Sequence, residues 1–487
     1  MKTTTTLLLS GLFLISPKII HAQSTESNLS KEELYVQEQL KEKSLDGPSS
    51  IKSLGLQAAI EQGLRKNHLQ KVRDYQLSLL DLNFEDDKES FWMPKLSLNL
   101  TTEEQRITTL TSGNSQTGET SKATVGTLSL GFDDYTLFNW GKDYLAYLNT
   151  KNTFFREKEK LNEQKRDLKH SIIISYFNLY QLFQIQDAAK DQLRHASFIY
   201  RLNKEKASVK KINVQQYYQA RSEYLIAQRA YHEAKANTQI AAEQLAELLG
   251  DDVGTEYVLE DEVNYEKLRL SYNESLSLAK KHNPAVLDAK TSIENSIRSE
   301  EITRREDLPL PKISVKLGAY NHVFGNGQAS TTFSTGTNNN DVEVVASINA
   351  SWALTGKDGL LNRRKRELAE VNKILAYKQK DAYTRSAHSS IKQSYKKIQK
   401  FQNLIAILEA NIPTLQKSFD AALENYLNKR TSYNDYHLAL EELIEARKEL
   451  EINKFLHTQE KILLAKAIGL EDFPGQNFEK LAKPVKR

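Results

Sequence analysis

The chain has no cysteine among its 487 residues. That excludes disulfides, thiol chemistry, cysteine-ligated zinc and lipid attachment on an N-terminal cysteine. Methionine is almost missing too, with only Met1 and Met93, so there is no thioether cluster to handle copper. The ten histidines lack the i, i+4 partner or carboxylate company of a metal site and are read as surface or interfacial residues. Long apolar runs are also lacking. Beyond the first residues the most apolar patch, Ile172 to Phe183, is about 12 residues long and includes Ser175, Asn178 and Gln181, short of the ~20 that cross a bilayer as a helix. Neither sign of charge dominates: 67 Lys and Arg face 63 Asp and Glu, a net +4, which argues against a nucleic-acid binder. Gly325-Asn326-Gly327 is a lone G-x-G with no strand-to-helix context. No catalytic residue, metal or cofactor is expected.

What the chain does have is periodicity. Ile391, Ile398, Ile405, Ile412, Phe419 and Tyr426 fall seven apart, with Phe401, Leu408, Leu415 and Ala422 each three residues after a member of that series. This is a heptad seam, too narrow to bury itself and in need of a partner helix. It stops at Asn428-Lys429-Arg430-Thr431-Ser432, and a second amphipathic run from Tyr436 to Ile468 follows, predicting an antiparallel hairpin with Ser432 as N-cap. Pro413 is expected to kink the first of these helices. An earlier helix of about 65 residues begins after Trp140-Gly141, with Leu161, Leu168 and Leu182 on its seam. At ~1.5 Å per residue it would run on the order of 100 Å. It turns at Lys210-Lys211-Ile212-Asn213 and returns to Leu249-Gly250.

Between the helices the period becomes two. Leu96, Leu98 and Leu100 alternate with polar residues, as do Leu128, Leu130 and Phe132, then Ile313, Val315 and Leu317, then Val344, Ala346, Ile348 and Ala350. Ser/Thr/Gly-rich loops, 104–122 and 322–340, join the strands in pairs. The two halves repeat. Asn283 matches Asn67 (283 − 67 = 216), Pro311 matches Pro94 (217), Gly359 matches Gly141 (218), and Lys429 matches Lys210 and Gly469 matches Gly250 (219). A drift of three residues over some 200 points to a duplicated unit.

The expected organisation is a signal peptide at 1–22, a flexible leader at 23–50, a first repeat at 51–250, a linker at 251–272, a second repeat at 273–469 and a tail at 470–487 whose basic end, 480–487, is read as disordered. The charge-rich stretches 156–169 and 363–366 are read as solvated helix faces. Four strands of membrane-crossing length cannot close a barrel alone, so several chains must pool theirs. Trp92, Trp140 and Trp352 stand at the helix-side ends of the strands, as an aromatic girdle would.

These features together make the chain resemble the TolC-like outer-membrane efflux proteins. The resemblance runs from about Leu54 to Gly469, on the helix openings at 56–68 and 276–286, the prolines before strands, Leu137-Phe138-Asn139-Trp140-Gly141-Lys142, and the hairpin tips followed by Ala220 and Ala439. It implies an α+β membrane protein with long antiparallel α-hairpins forming a coiled-coil tunnel. Four β-strands per chain would contribute to a trimeric 12-stranded outer-membrane β-barrel. The implied function is passive: an exit duct of a tripartite efflux or type I secretion system, fed by an inner-membrane pump through a periplasmic adaptor, in the Gram-negative outer membrane with loops outside, and not a lipoprotein. A soluble periplasmic coiled-coil adaptor or scaffold is the alternative. The resemblance also implies a periplasmic gate at Tyr426, Asp435 and Gln216. Here Gln216 stands where the tyrosine's acidic partner would be, and Leu438 where a second aspartate would be. The tips Lys210, Lys211, Asn213, Lys429, Arg430 and Ser432 become the adaptor contact. Lysines replace the usual turn glycines, leaving Asn428 to supply a left-handed residue.

Overall fold

The computed structural model describes residues 51–105, 123–263, 265–324, 343–356 and 359–484. The signal peptide and leader, most of both strand-joining loops and the last three residues lie outside this range.

Strand β1 (Ile51–Leu54) leads into helices α1 (Leu56–Lys66) and α2 (His68–Trp92). Strands β2 (Ser97–Gln105) and β3 (Ala123–Phe138) follow, then the 67-residue helix α3 (Lys142–Ser208) and its return, α4 (Val214–Leu249). Short strands β4 (Glu256–Leu259) and β5 (Asp261–Val263) occupy the expected linker. The same order of elements then recurs: α5 (Tyr272–His282), α6 (Pro284–Glu306), β6 (Lys312–Phe324), β7 (Glu343–Ser351), the 65-residue α7 (Arg363–Leu427) and α8 (Tyr433–Ile468). Helix α7 is continuous through Pro413.

Strands and helices share one lateral order. The long strands form an antiparallel sheet in the order β2-β3-β6-β7, and the helices attached to them touch in the order α2-α3-α6-α7. Beyond them, α3 packs on α4, α7 on α8, and α3 on α8. The heptad seams account for this packing. Ile391, Ile398, Ile405 and Phe419 are buried, and Ile412, Leu415, Ala422 and Tyr426 pack against a cluster that includes Ile199, Ala220, Tyr436 and Leu443. On α3, Leu168, Ile172 and Leu179 belong to the main core with Leu245, Leu249, Ile462 and Ile468.

Two glycines end the returning helices in the left-handed region, Gly250 (φ 67°) and Gly469 (φ 95°). A Cβ on the first would meet the Lys66 carbonyl oxygen at 2.9 Å, and one on the second would run into that of His282. The returning helix can therefore end against the short opening helix only if it ends in glycine.

Three expectations need correction. The tail is ordered as far as Pro484: β8 (Ala482–Pro484) pairs with β5, because Phe478 and Leu481 bury themselves in the core and pull the chain back onto it. The stretch 156–169 is not merely a solvated face. Arg156 is buried among Glu159, Glu163 and Asp288, and Lys169 is buried and bonds Glu471 (2.5 Å) and Glu479 (2.6 Å). His170 and His457 are buried as well, not at the surface.

Candidate functional site

The sheet has one apolar and one polar face. Across the strands, Leu98 stands opposite Leu130, Leu130 opposite Ala319, and Ala319 opposite Val344. A neighbouring row runs Phe132, Leu317, Ala346. The alternate residues are polar, as in the pairs Asn99 with Ser129 and Lys316 with Ser347. The apolar row is exposed, with Leu98 66%, Val344 69% and Ile348 75%. A soluble sheet would bury that face against helices. Among the described residues, strands β2 and β7 each pair on one side only, leaving two open edges.

At the foot of the sheet the indole N–H of Trp140 donates to the Pro311 carbonyl (3.0 Å) and that of Trp352 to the Pro309 carbonyl (3.3 Å). The Tyr135 hydroxyl donates to the Trp92 carbonyl (2.9 Å). Trp92 and Trp352 are exposed. The rings thus bridge strand ends to the turns where helices give way to strands.

At the other end of the long helices, both hairpins turn in the same way. Helix α3 closes with Lys210 N–H to the Ala207 carbonyl (3.0 Å) and Lys211 N–H to the Lys206 carbonyl (2.8 Å). Helix α7 closes with Lys429 N–H to Tyr426 (3.1 Å) and Arg430 N–H to Asn425 (2.7 Å). In each, a lysine takes the left-handed position glycine normally fills, Lys210 at φ 56° and Lys429 at φ 61°. Asn428, expected to be left-handed, has φ −82°. This bond pattern puts the left-handed residue one place later, just after the C-cap. Asn213 caps α4 through the Gln215 N–H (3.2 Å), and Gln216 lies in that first turn.

Ser432 caps α8 as expected, and Asp435 completes a reciprocal capping box. One Asp435 oxygen accepts from Thr431 Oγ1 (2.8 Å), Ser432 Oγ (2.8 Å) and the Ser432 N–H (3.2 Å). These bonds, that from Thr431 foremost, lower its pKa below the usual carboxylate value. The side chain is exposed, one turn before exposed Leu438.

The Tyr426 hydroxyl donates to Asn203 Oδ1 on α3 (2.9 Å), tying the two hairpins together. Burial raises the pKa of this tyrosine. Its ring stacks on Tyr436 at 5.5 Å and lies 5.8 Å from the Lys206 ammonium. The amide nitrogen of Asn203 and the hydroxyl of Tyr436 are buried without a hydrogen-bond partner among the described residues. His437 lies 3.4 Å from Glu223 of α4 and 3.7 Å from Glu441, a second link between hairpins. Asn203 escaped the sequence reading, although a signal was there. It continues the seven-residue spacing of Leu161, Leu168 and Leu182 (203 − 161 = 42), and asparagine on an apolar seam marks a specific pairing.

Among the described residues no group of three or more His, Asp or Glu is placed to hold a metal ion, and no helix is long and apolar enough to cross a membrane.

No curated protein sequence matches the chain. Solved structures do match its fold. The CmeC outer membrane channel of Campylobacter jejuni is 18% identical, with a TM-score of 0.68 over 87% of this chain and 88% of that one. The outer membrane protein VceC of Vibrio cholerae is 17% identical, with 0.67 over 87% and 96%. The open state of the MtrE outer membrane channel of Neisseria gonorrhoeae is 15% identical, with 0.62 over 85% and 89%. Residues 88–251 match the outer membrane efflux protein family, and the chain carries the TolC-like channel fold over most of its length.

Proposed function

We propose that the chain is the outer-membrane exit duct of a tripartite efflux or type I secretion system, working as a homotrimer. It passively conducts substrates delivered by an inner-membrane pump through a periplasmic adaptor. The observation that carries this reading is the exposed apolar face of the sheet together with its two edges that are unpaired among the described residues. In lipid such edges must be closed. Three copies joined β7 to β2 would make a 12-stranded barrel with the apolar rows toward the acyl chains and the polar rows toward the lumen.

The helices support the same joining. The two outer members of the lateral order carry exposed apolar stripes, Leu69, Val72, Leu79 and Leu82 on α2 and Leu368, Val371 and Leu375 on α7. Contact between α7 of one copy and α2 of the next would cover both and continue the ring of strands into a ring of helices. Such an interface is heterologous, and it closes only if the rotation per copy returns to the start. The two halves of the chain, with matched caps and turns, read as a duplicated unit that gives the ring near-sixfold symmetry.

In this reading Trp92, Trp140 and Trp352 form the girdle at the periplasmic interface. The strand-joining loops face outward and the hairpin tips face the periplasm. Tyr426, Asp435 and Gln216 form the gate, Tyr426 as a tie between hairpins and Asp435 as a ring of three carboxylates favouring cations, while the tip residues face the adaptor. Export through an N-terminal signal completes the assignment.

The test is fractionation of cells expressing the full chain, with detergent-extracted outer membrane run unboiled and boiled. The expected result is outer-membrane recovery with a trimer-sized band that boiling collapses to a monomer. Recovery as a soluble periplasmic monomer would overturn the barrel in favour of a coiled-coil scaffold.

A further inference from the structure

The two hairpin tips share a backbone but not a charge. From Arg201 to Arg221 there are six cations (Arg201, Lys204, Lys206, Lys210, Lys211, Arg221) and one anion (Glu205), a net 6 − 1 = +5. The matching 21 residues of the second tip, Asp420 to Leu440, hold two cations and three anions, a net 2 − 3 = −1. The first tip therefore carries more positive charge than the whole chain's net +4.

Three structural facts make this more than a solvated helix end. First, Lys210 and Lys211 are exposed, and neither ammonium has an ion-pair partner among the described residues. Second, Lys210 occupies a left-handed position (φ 56°) where glycine would be less strained, so the backbone gains nothing from lysine there. Third, the cations sit among exposed apolar side chains, Val209 (59%), Val214 (63%) and Tyr218 (58%). Apolar and aromatic groups interleaved with charge are the make-up of a protein-binding surface, whereas a surface for phosphate alone would need only the cations.

We infer that the α3–α4 tip, and not the α7–α8 tip, is the main docking surface for a protein partner whose contact face carries clustered carboxylates. Val214 and Tyr218 supply apolar anchors, and Lys210 and Lys211 supply charge selection. This rests on the exit-duct reading and deepens it: the periplasmic adaptor of this duct is one with an acidic tip. Charge complementarity of this kind sets association rate and excludes partners with basic tips.

The test uses the full-length protein in detergent and two stapled helical-hairpin peptides of one sequence, bearing either glutamates or lysines at the turn. Binding is read by fluorescence anisotropy at low and physiological salt. The expected result is that the acidic hairpin binds and the basic one does not. Lys210→Glu/Lys211→Glu should lose the acidic hairpin by about ten-fold or more and gain the basic one. Lys210→Gly/Lys211→Gly, which keeps the turn, should show the loss without the gain. Equal binding of both hairpins, or the same loss from Lys392→Glu/Lys396→Glu on the exposed face of α7, would overturn the inference. So would phosphatidylglycerol vesicles binding where neither hairpin does, which would make the surface a lipid site. The same preparations are run unboiled for the trimer and assayed for conductance in a planar bilayer. A conducting trimer without charge selection sinks this inference alone, and a non-conducting monomer sinks the duct.

Discussion

Asn67 and Asn283, 283 − 67 = 216 residues apart, make the same two bonds. Each side-chain oxygen caps the helix that follows, Asn67 through Leu69 N–H (2.8 Å) and Asn283 through Val286 N–H (3.0 Å). Each amide nitrogen donates to a carbonyl two residues before the glycine that ends the returning helix, Leu248 (2.9 Å) and Ala467 (2.6 Å). One side chain thus fixes the junction of an opening helix, a middle helix and a returning hairpin.

That dual role separates two substitutions. Asn283→Ser keeps a cap oxygen but cannot reach Ala467, and it should cost about 1 kcal/mol. Asn283→Ala loses both bonds and should cost about 2 kcal/mol. Thermal unfolding of the purified protein checks the order, and equal losses would mean that the cap contributes nothing.

The left-handed lysines give a prediction of opposite sign. Lys210→Gly and Lys429→Gly relieve a Cβ clash at φ 56° and 61°, and each should stabilise by about 0.5 to 1 kcal/mol. Asn428→Gly, at an ordinary φ of −82°, should instead be neutral or slightly destabilising. Melting temperatures of the three variants distinguish the positions.

Arg156 is the charge on which the α3–α6 contact depends. It bonds Glu163 twice (2.9 Å each), Asp288 (2.6 Å) and the Pro284 carbonyl (3.3 Å). Burial opposes its charge, but the bonds to Glu163 and Asp288 outweigh that and raise its pKa. Arg156→Met leaves Glu163 without its buried partner, while Asp288 keeps Lys160 at 3.4 Å, and should cost about 3 kcal/mol. A double variant that also replaces Glu163 with Gln should recover part of the loss, and no recovery in thermal unfolding would assign the loss to packing.

His457 supplies the pH dependence. It is fully buried, and burial, with the Lys461 charge second, pushes its pKa down to about 3. Its folded value lies below the unfolded value of about 6.5, so the unfolded chain takes up the proton first. This contribution is fully present above pH ~6.5 and is lost as pH falls toward 3, at about 1.4 kcal/mol per pH unit. His457→Gln should flatten the acid side of a melting-temperature profile between pH 6 and 4. A variant profile parallel to the wild type would mean that the histidine is not buried neutral.

Strands, hairpins and caps were legible in the sequence because each is encoded locally. Periods of two and seven mark the faces, and Ser432 and Gly250 mark ends. Lateral pairings were not. Tyr426 finds Asn203 223 residues away, and no local period says which helices lie side by side. The strands β1, β4, β5 and β8 were missed because three or four residues are too few to display alternation. Arg156 was misread for a related reason, since a charge surrounded by charges along the chain looks solvated until a second helix covers it.

The Tyr426–Asn203 bond yields the prediction closest to function. In the proposed trimer, opening the periplasmic end requires the α7–α8 hairpin to part from α3, and this bond must break. Tyr426→Phe removes the hydroxyl but keeps the ring for its stack on Tyr436 and its place over Lys206. The loss is then one neutral hydrogen bond, about 1 kcal/mol in each chain. Three chains opening together would shift the closed-to-open balance by about 3 kcal/mol, on the order of a hundred-fold. Single-channel recordings should show a large rise in open probability at unchanged full conductance, because nothing lining the open lumen is altered. Asp435→Ala should do the reverse: it removes charge at the opening and should lower cation selectivity, with only a small effect on open probability. If Tyr426→Phe changes selectivity and leaves gating alone, the tyrosine lines the path and does not lock it, and the tie between hairpins must be sought at His437 and Glu223.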